Sequence, residues 1–237
     1  MKNISKILML SAAAVLLIAG NAMATPASLG EILGDSSYNS ITDTGAGAVT
    51  LTDTDGIKDD ATAFLLLELA GYAGTNTFGI YGYSYDANGN LNLGNTLEIF
   101  QGPDSPGFST GSQTLYFNVA NSQVSLNYNM SGAVSIGTTF GFYISTQDKY
   151  TFYSQTALNT DKTDHMMIFD TSKIGSGLGG SDVVIAIEDL YGGGDRDYND
   201  MVVGITDVTP VPEPATMLLF GTGLIGFAVI GRRRFIK

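Results

Sequence analysis

The chain has 237 residues, 23 acidic against 11 basic, a formal charge of −12, and no cysteine or tryptophan. That length accommodates one ordinary domain with terminal extensions, and the missing cysteines exclude a disulfide framework and a thiol nucleophile. Between residues 25 and 212 the imbalance deepens to 22 acidic against 5 basic residues, a net charge of −17, which excludes nucleic acid and anionic lipid as partners of the body and favours cations.

Residues 1–24 read as a secretory signal. Lys2 and Lys6 precede an apolar stretch over 7–19, and Ala22-Met23-Ala24 is a small-x-small site, so signal peptidase should cut between Ala24 and Thr25. The stretch is short for a permanent span. A polar lead-in follows over 25–47, with one helical turn expected over 31–34.

The body, 48–208, is a succession of short alternating runs broken by Gly, Asn, Asp and Ser. Strands are expected over 49–52, 63–68, 77–83, 96–100, 114–118, 124–128, 140–145, 150–154, 165–169, 183–187 and 201–205. The run Phe64-Leu65-Leu66-Leu67 could belong to a helix over 61–71, but length and β-rich surroundings favour a buried strand. Many short strands at this spacing predict an all-β fold, a single β-sandwich or jelly-roll-like domain.

Several loops carry chemistry. Asp53 and Asp55, followed by Asp59 and Asp60, read as a D-G turn that could also join a metal site. Residues 86–90, Asp-Ala-Asn-Gly-Asn, read as a hairpin turn. The segment 159–165 ends on His165, the one histidine. The densest loop lies between the apolar runs 183–187 and 201–205 and holds Glu188, Asp189, Asp195, Asp197 and Asp200, with Arg196 its only cation. One guanidinium cannot neutralise five carboxylates, so a hard, oxygen-loving cation is the economical solution, and Ca²⁺ takes oxygen ligands from Asp, Glu, Asn and backbone carbonyls. The candidate ligands are Glu188, Asp189, Asp195, Asp197, Asn199 and Asp200. Asp195, Asp197 and Asn199 alternate as in a helical calcium loop, but Asp200 stands where that loop needs Gly and Thr206 where it needs Glu, so the loop is not an EF-hand. The competing interpretation is an Asx-rich turn whose carboxylates cap amides.

After the body comes a Pro-rich motif over 209–214, including Pro212-Glu213-Pro214. A hydrophobic helix is expected over 215–231, seventeen residues without a charge, and a basic cytoplasmic tail over 232–237. These three parts together resemble the PEP-CTERM sorting signal of Gram-negative bacteria. The resemblance implies recognition by an exosortase, cleavage near 212–214 after transient inner-membrane anchoring, and release to the cell surface or extracellular matrix. A second resemblance rests on Asn76-Thr77-Phe78-Gly79-Ile80-Tyr81, Asp164-His165-Met166, Glu188-Asp189 and Asp195-Arg196-Asp197-Tyr198-Asn199-Asp200. These are similar to a secreted bacterial domain of unknown function common in PEP-CTERM proteins. This implies a sandwich in which the E-D and D-x-D-Y-N-D segments meet near His165, and it brings no reaction with it.

No catalytic residues are expected. A Ser-His-Asp site would need His165, and no nucleophile elbow, H-E-x-x-H or phosphate loop is present. The leading expectation is a non-enzymatic, calcium-stabilised structural protein of the surface or matrix, associated with exopolysaccharide or biofilm. The alternative is a calcium-dependent carbohydrate-binding module using tyrosines such as Tyr81, Tyr83, Tyr85, Tyr143, Tyr150, Tyr153 and Tyr198. A glycoside hydrolase is a remote third.

Overall fold

The computed structural model describes residues 25–52, 60–68, 74–101, 111–175 and 177–212. The expected signal (1–24), the acidic segment 53–59, the expected hydrophobic helix and the basic tail lie outside the described residues.

Among the described residues thirteen strands form two antiparallel sheets: β1 (Ala46–Leu51), β2 (Asp60–Glu68), β3 (Thr77–Tyr85), β4 (Leu91–Gln101), β5 (Ser112–Asn118), β6 (Gln123–Leu126), β7 (Val134–Ser135), β8 (Thr139–Ser145), β9 (Thr151–Tyr153), β10 (Met166–Asp170), β11 (Val183–Ile187), β12 (Met201–Ile205) and β13 (Val208–Pro212). One sheet has the order β13-β1-β8-β3-β4, with β9 also paired to β8, and the other runs β10-β11-β12-β2-β5-β6-β7. The all-β sandwich is therefore the fold. The 64–67 run lies in β2, as length and context favoured, between β12 and β5.

Side chains that alternate inward from both sheets fill one core, as paired sheets require. Phe78 stacks between Phe100 and Phe142, and Phe140 contacts Phe142 and Phe117. All five rings are essentially solvent-free, and truncating any one to Ala would cost about 3–5 kcal/mol.

A second, smaller core lies on the outer face of the seven-stranded sheet. The lead-in folds a short helix, α1 (Leu29–Leu33), whose N-cap Ser28 accepts from Glu31 N and which ends at Gly34 in the left-handed region, φ 67°. Leu29 and Ile32 of α1 pack on Met167, Phe169, Val184, Ala186, Tyr198 and Val202. The lead-in thus covers β10, β11 and β12, and those strands are buried on both faces.

Two strands escaped sequence reading. β7 is two residues long, and β13 contains Pro210 and Pro212. Proline is tolerated at a sheet edge, and β13 is an edge strand paired with β1, Pro210 opposite Val49 and Pro212 opposite Ala46.

Candidate metal centre

Every residue of β11 and β12 is buried. A one-residue slip between them would exchange the two cores, so the loop joining them starts and ends at fixed points. A bridge between Ile187 and Asn199 draws its ends together. Inside, the chain turns through positive φ at Gly192, Gly193 and Gly194, and also at Arg196 (φ 60°) and Tyr198 (φ 55°). A left-handed non-glycine residue costs about 1–2 kcal/mol. Here Tyr198 is offset by burial and by its hydroxyl, which donates to Asp164 O at 3.0 Å. A Cβ on Gly194 would collide with the Glu188 carboxylate, so this glycine is required by space as well as by φ.

These turns fold the carboxylates inward. Glu188 is fully buried and Asp189 nearly so. Glu188 belongs to two triads, one with Asp195 and Asp197 and one with Asp189 and Asp200, and within each the oxygens lie no more than 4.8 Å apart. That separation is about twice a Ca²⁺–O bond of roughly 2.4 Å. Protein donors hold the group in place: Glu188 Oε2 accepts from Arg196 N (3.0 Å), Asp200 Oδ2 from Asp189 N (2.9 Å), and Asp197 Oδ2 from Asn199 Nδ2 (2.7 Å).

Electrostatics match the geometry. Burial, the charge of Asp200 and that of Asp195 push the Glu188 carboxyl up to about 8, against two backbone donors. Burial, with Asp189 and Asp197 nearby, lifts Asp200 to about 6. Both shifts favour the protonated form of these two carboxyls.

Of the expected ligands, the structure brings Glu188, Asp189, Asp195, Asp197 and Asp200 together, and Asn199 uses its amide to steady Asp197. The 86–90 segment is the expected turn, with Asp86 accepting from Asn88 and Asn90. His165 lies at the site without facing it: Nδ1 contacts the Glu188 carbonyl oxygen at 2.9 Å and Nε2 contacts Asp161 Oδ2 at 2.9 Å. With both nitrogens engaged, the donors that remain are oxygens, a hard set that suits Ca²⁺.

Two contributors were not singled out as site residues. Asp161 accepts the Gly192 N–H at 2.8 Å and so ties down the loop. Asn76, fully buried, donates from Nδ2 to Asp189 Oδ2 at 2.7 Å, and its Oδ1 has no hydrogen-bond partner among the described residues. Such an orphan costs about 1–3 kcal/mol, and a cation among the carboxylates beside it would supply the partner. Of the tyrosines considered for sugar stacking, Tyr81, Tyr143 and Tyr198 are buried, while Tyr85 and Tyr150 are exposed. Tyr150 packs against exposed Tyr191 of the loop, ring centroids 4.9 Å apart.

Residues 108–207 match the family model described as a domain of unknown function, DUF4114, and residues 210–234 match the PEP-CTERM protein-sorting motif. The chain carries a PEP-CTERM sorting motif behind a DUF4114 domain. The motif implies processing by exosortase and secretion toward the surface of a Gram-negative cell. No curated protein and no solved structure matches the chain. The DUF4114 match contains every carboxylate of the site together with Asp161 and His165, but not Asn76. It also stops short of the folded unit, since β2 lies between β12 and β5, and β1 and β3 both pair with β8.

Proposed function

We propose that this protein is a non-enzymatic structural component of the cell surface or extracellular matrix, associated with exopolysaccharide, whose sandwich is stabilised by calcium held in the 188–200 loop. The observation that carries the reading is Glu188, a fully buried carboxylate shared by two triads beside the unpartnered Oδ1 of Asn76. A secreted acidic chain without cysteine has no disulfide to rigidify it, and a divalent ion gives the same constraint through ligands 188 to 200. His165 supports the non-enzymatic half: buried, with both nitrogens bonded, it is not available as a general base.

A calcium-dependent carbohydrate-binding module is the second reading, favoured by the exposed Tyr150–Tyr191 pair and by Leu190, also exposed, at the rim of the same loop. Thermal unfolding of the secreted, processed protein in calcium and in chelator tests the shared core of both. Equal melting points discard the metal. A glycan array in calcium then separates them, since only the second requires sugar binding that is lost in the Tyr191→Ala variant.

A further inference from the structure

The two carboxylate triads that share Glu188 differ in their access to water. In one, Asp195 is exposed and Asp197 half-buried. Both Asp197 oxygens already accept from Asn199, Oδ1 from the backbone N–H at 3.2 Å and Oδ2 from the side-chain amide at 2.7 Å. In the other triad Asp189 is buried and Asp200 half-buried. Water screens the first set and has little access to the second, so a cation gains most among the charges that have lost their hydration.

Asn76 is an independent observation on the side of the second triad. It is fully buried, and its Nδ2 donates to Asp189 Oδ2. A carboxylate there needs a donor, so the nitrogen takes that contact and the amide carbonyl is left over. That oxygen, a hard donor, has no hydrogen-bond partner among the described residues. The groups also belong to different sheets. Glu188 directly follows β11 and Asp200 directly precedes β12, both in the seven-stranded sheet, whereas Asn76 directly precedes β3 of the other sheet. The Asn76–Asp189 hydrogen bond therefore crosses between the sheets. It does so where the chain itself changes sheet, since β2 ends at Glu68 opposite Met201 and β3 begins at Thr77.

We propose that calcium occupies the buried triad alone, with Glu188, Asp189, Asp200 and the Oδ1 of Asn76 as its protein ligands, and that it clamps the two sheets together at this end of the sandwich. The inference rests on the calcium reading above and adds to it a ligand set and a mechanical consequence. Four groups from three separate segments leave room for water to complete the six to eight oxygens that Ca²⁺ takes. Asp195 and Asp197 form the outer rim, where their charge attracts the ion without ligating it. Because one ligand comes from the opposite sheet, the ion resists separation of the sheets, which a ligand set confined to 188–200 would not do. The ligand from outside the loop also lies outside the matched 108–207 segment, so that segment alone holds an incomplete site.

The test is calcium titration of the secreted, processed protein, read as the rise in melting point over chelator. Asp200→Asn is expected to abolish the rise at any ionic strength. Asp195→Asn lowers the field without removing a ligand, so it should weaken binding at low salt, and added salt should close the deficit. Asn76→Asp decides the fourth ligand. It removes the donor to Asp189 and sets two carboxylates together, so the melting point in chelator falls, but a ligating position gains a charged oxygen and the rise in calcium exceeds that of the wild type. Hydrogen exchange of the wild type needs no substitution: calcium should slow amides within 75–78 as well as those of the 188–200 loop. An Asp195→Asn deficit that persists in high salt and equals that of Asp200→Asn, a smaller rise in Asn76→Asp, or protection confined to the loop overturns the clamp and leaves calcium binding in place. A wild type indifferent to calcium overturns the underlying reading and the clamp with it.

Discussion

His165 and Asp161 form a buried pair, Nε2 to Oδ2 at 2.9 Å, while the opposite ring nitrogen of His165 faces the carbonyl oxygen of Glu188 at the same distance. Both nitrogens therefore face acceptors. Burial alone would raise the Asp161 carboxyl, but the N–H of Gly192, the His165 ring and the N–H of Thr163 outweigh it and hold the group below its ordinary value. The ring lies flat on Phe152, centroids 3.7 Å apart and planes 11° apart.

Asp161→Asn removes the charge opposite His165 and weakens the acceptor that holds Gly192. We expect a loss of about 1.5–3 kcal/mol in denaturant unfolding, the range for hydrogen bonds to a charged group. Calcium affinity should fall with it, because the loop is no longer anchored. A change confined to stability would mean that the latch and the carboxylates act separately.

Glu188 sets the pH response. Its ordinary value is 4.5 and its folded value about 8, so between the two the folded state keeps a proton that the unfolded chain has released. Metal-free stability from this group is complete below the lower value and is lost as pH rises through the upper one. Asp200, raised to about 6, acts in the same direction. On the proposed function calcium takes the place of this proton, so binding at neutral pH should release protons, visible as a buffer-dependent heat in titration calorimetry. In chelator, the melting point of the wild type relative to Glu188→Gln should fall from pH 5 to pH 8. A rise over that range would rule out the buried, proton-holding Glu188.

Glu188→Gln itself separates metal binding from folding. Glutamine mimics the protonated carboxyl, so stability in chelator should hold, while both triads lose their shared ligand. Extracellular calcium sites have Kd values of about 10⁻⁴ to 10⁻³ M. At ten times Kd the wild type should gain about 1.4 kcal/mol, or roughly 3 °C for a domain of this size. The variant should gain nothing. An equal gain in both would place calcium elsewhere.

Asn76→Ala probes the orphan oxygen. If Oδ1 faces the bound ion, or if the amide only orients Asp189, calcium Kd rises by roughly 10- to 100-fold, as for lost supporting partners. An unchanged Kd with lowered stability would make Asn76 a packing residue.

β11 and β12 were legible from sequence to the residue because their runs are buried on both faces and bounded by acidic or glycine-rich turns. The carboxylates of the loop were legible as a group for the same reason, since five like charges in thirteen residues demand an explanation that local turns do not give. Asn76 stood only as the first residue of a resembling motif and not as a member of the site, because its partner Asp189 lies 113 positions away. The covering role of Leu29 and Ile32 was also hidden, since a single helical turn offers no period to read. β13 was obscured by its prolines, whose cost disappears at a sheet edge.

β13 brings together two events that sequence would keep apart. The sorting motif begins at residue 210, two residues inside a strand whose backbone is paired with β1 up to Pro212. An enzyme that grips this peptide in extended form competes with β1 for the same hydrogen bonds. If processing grips the motif in that way, cleavage and closure of the last strand compete for the same stretch of backbone, 210 to 212.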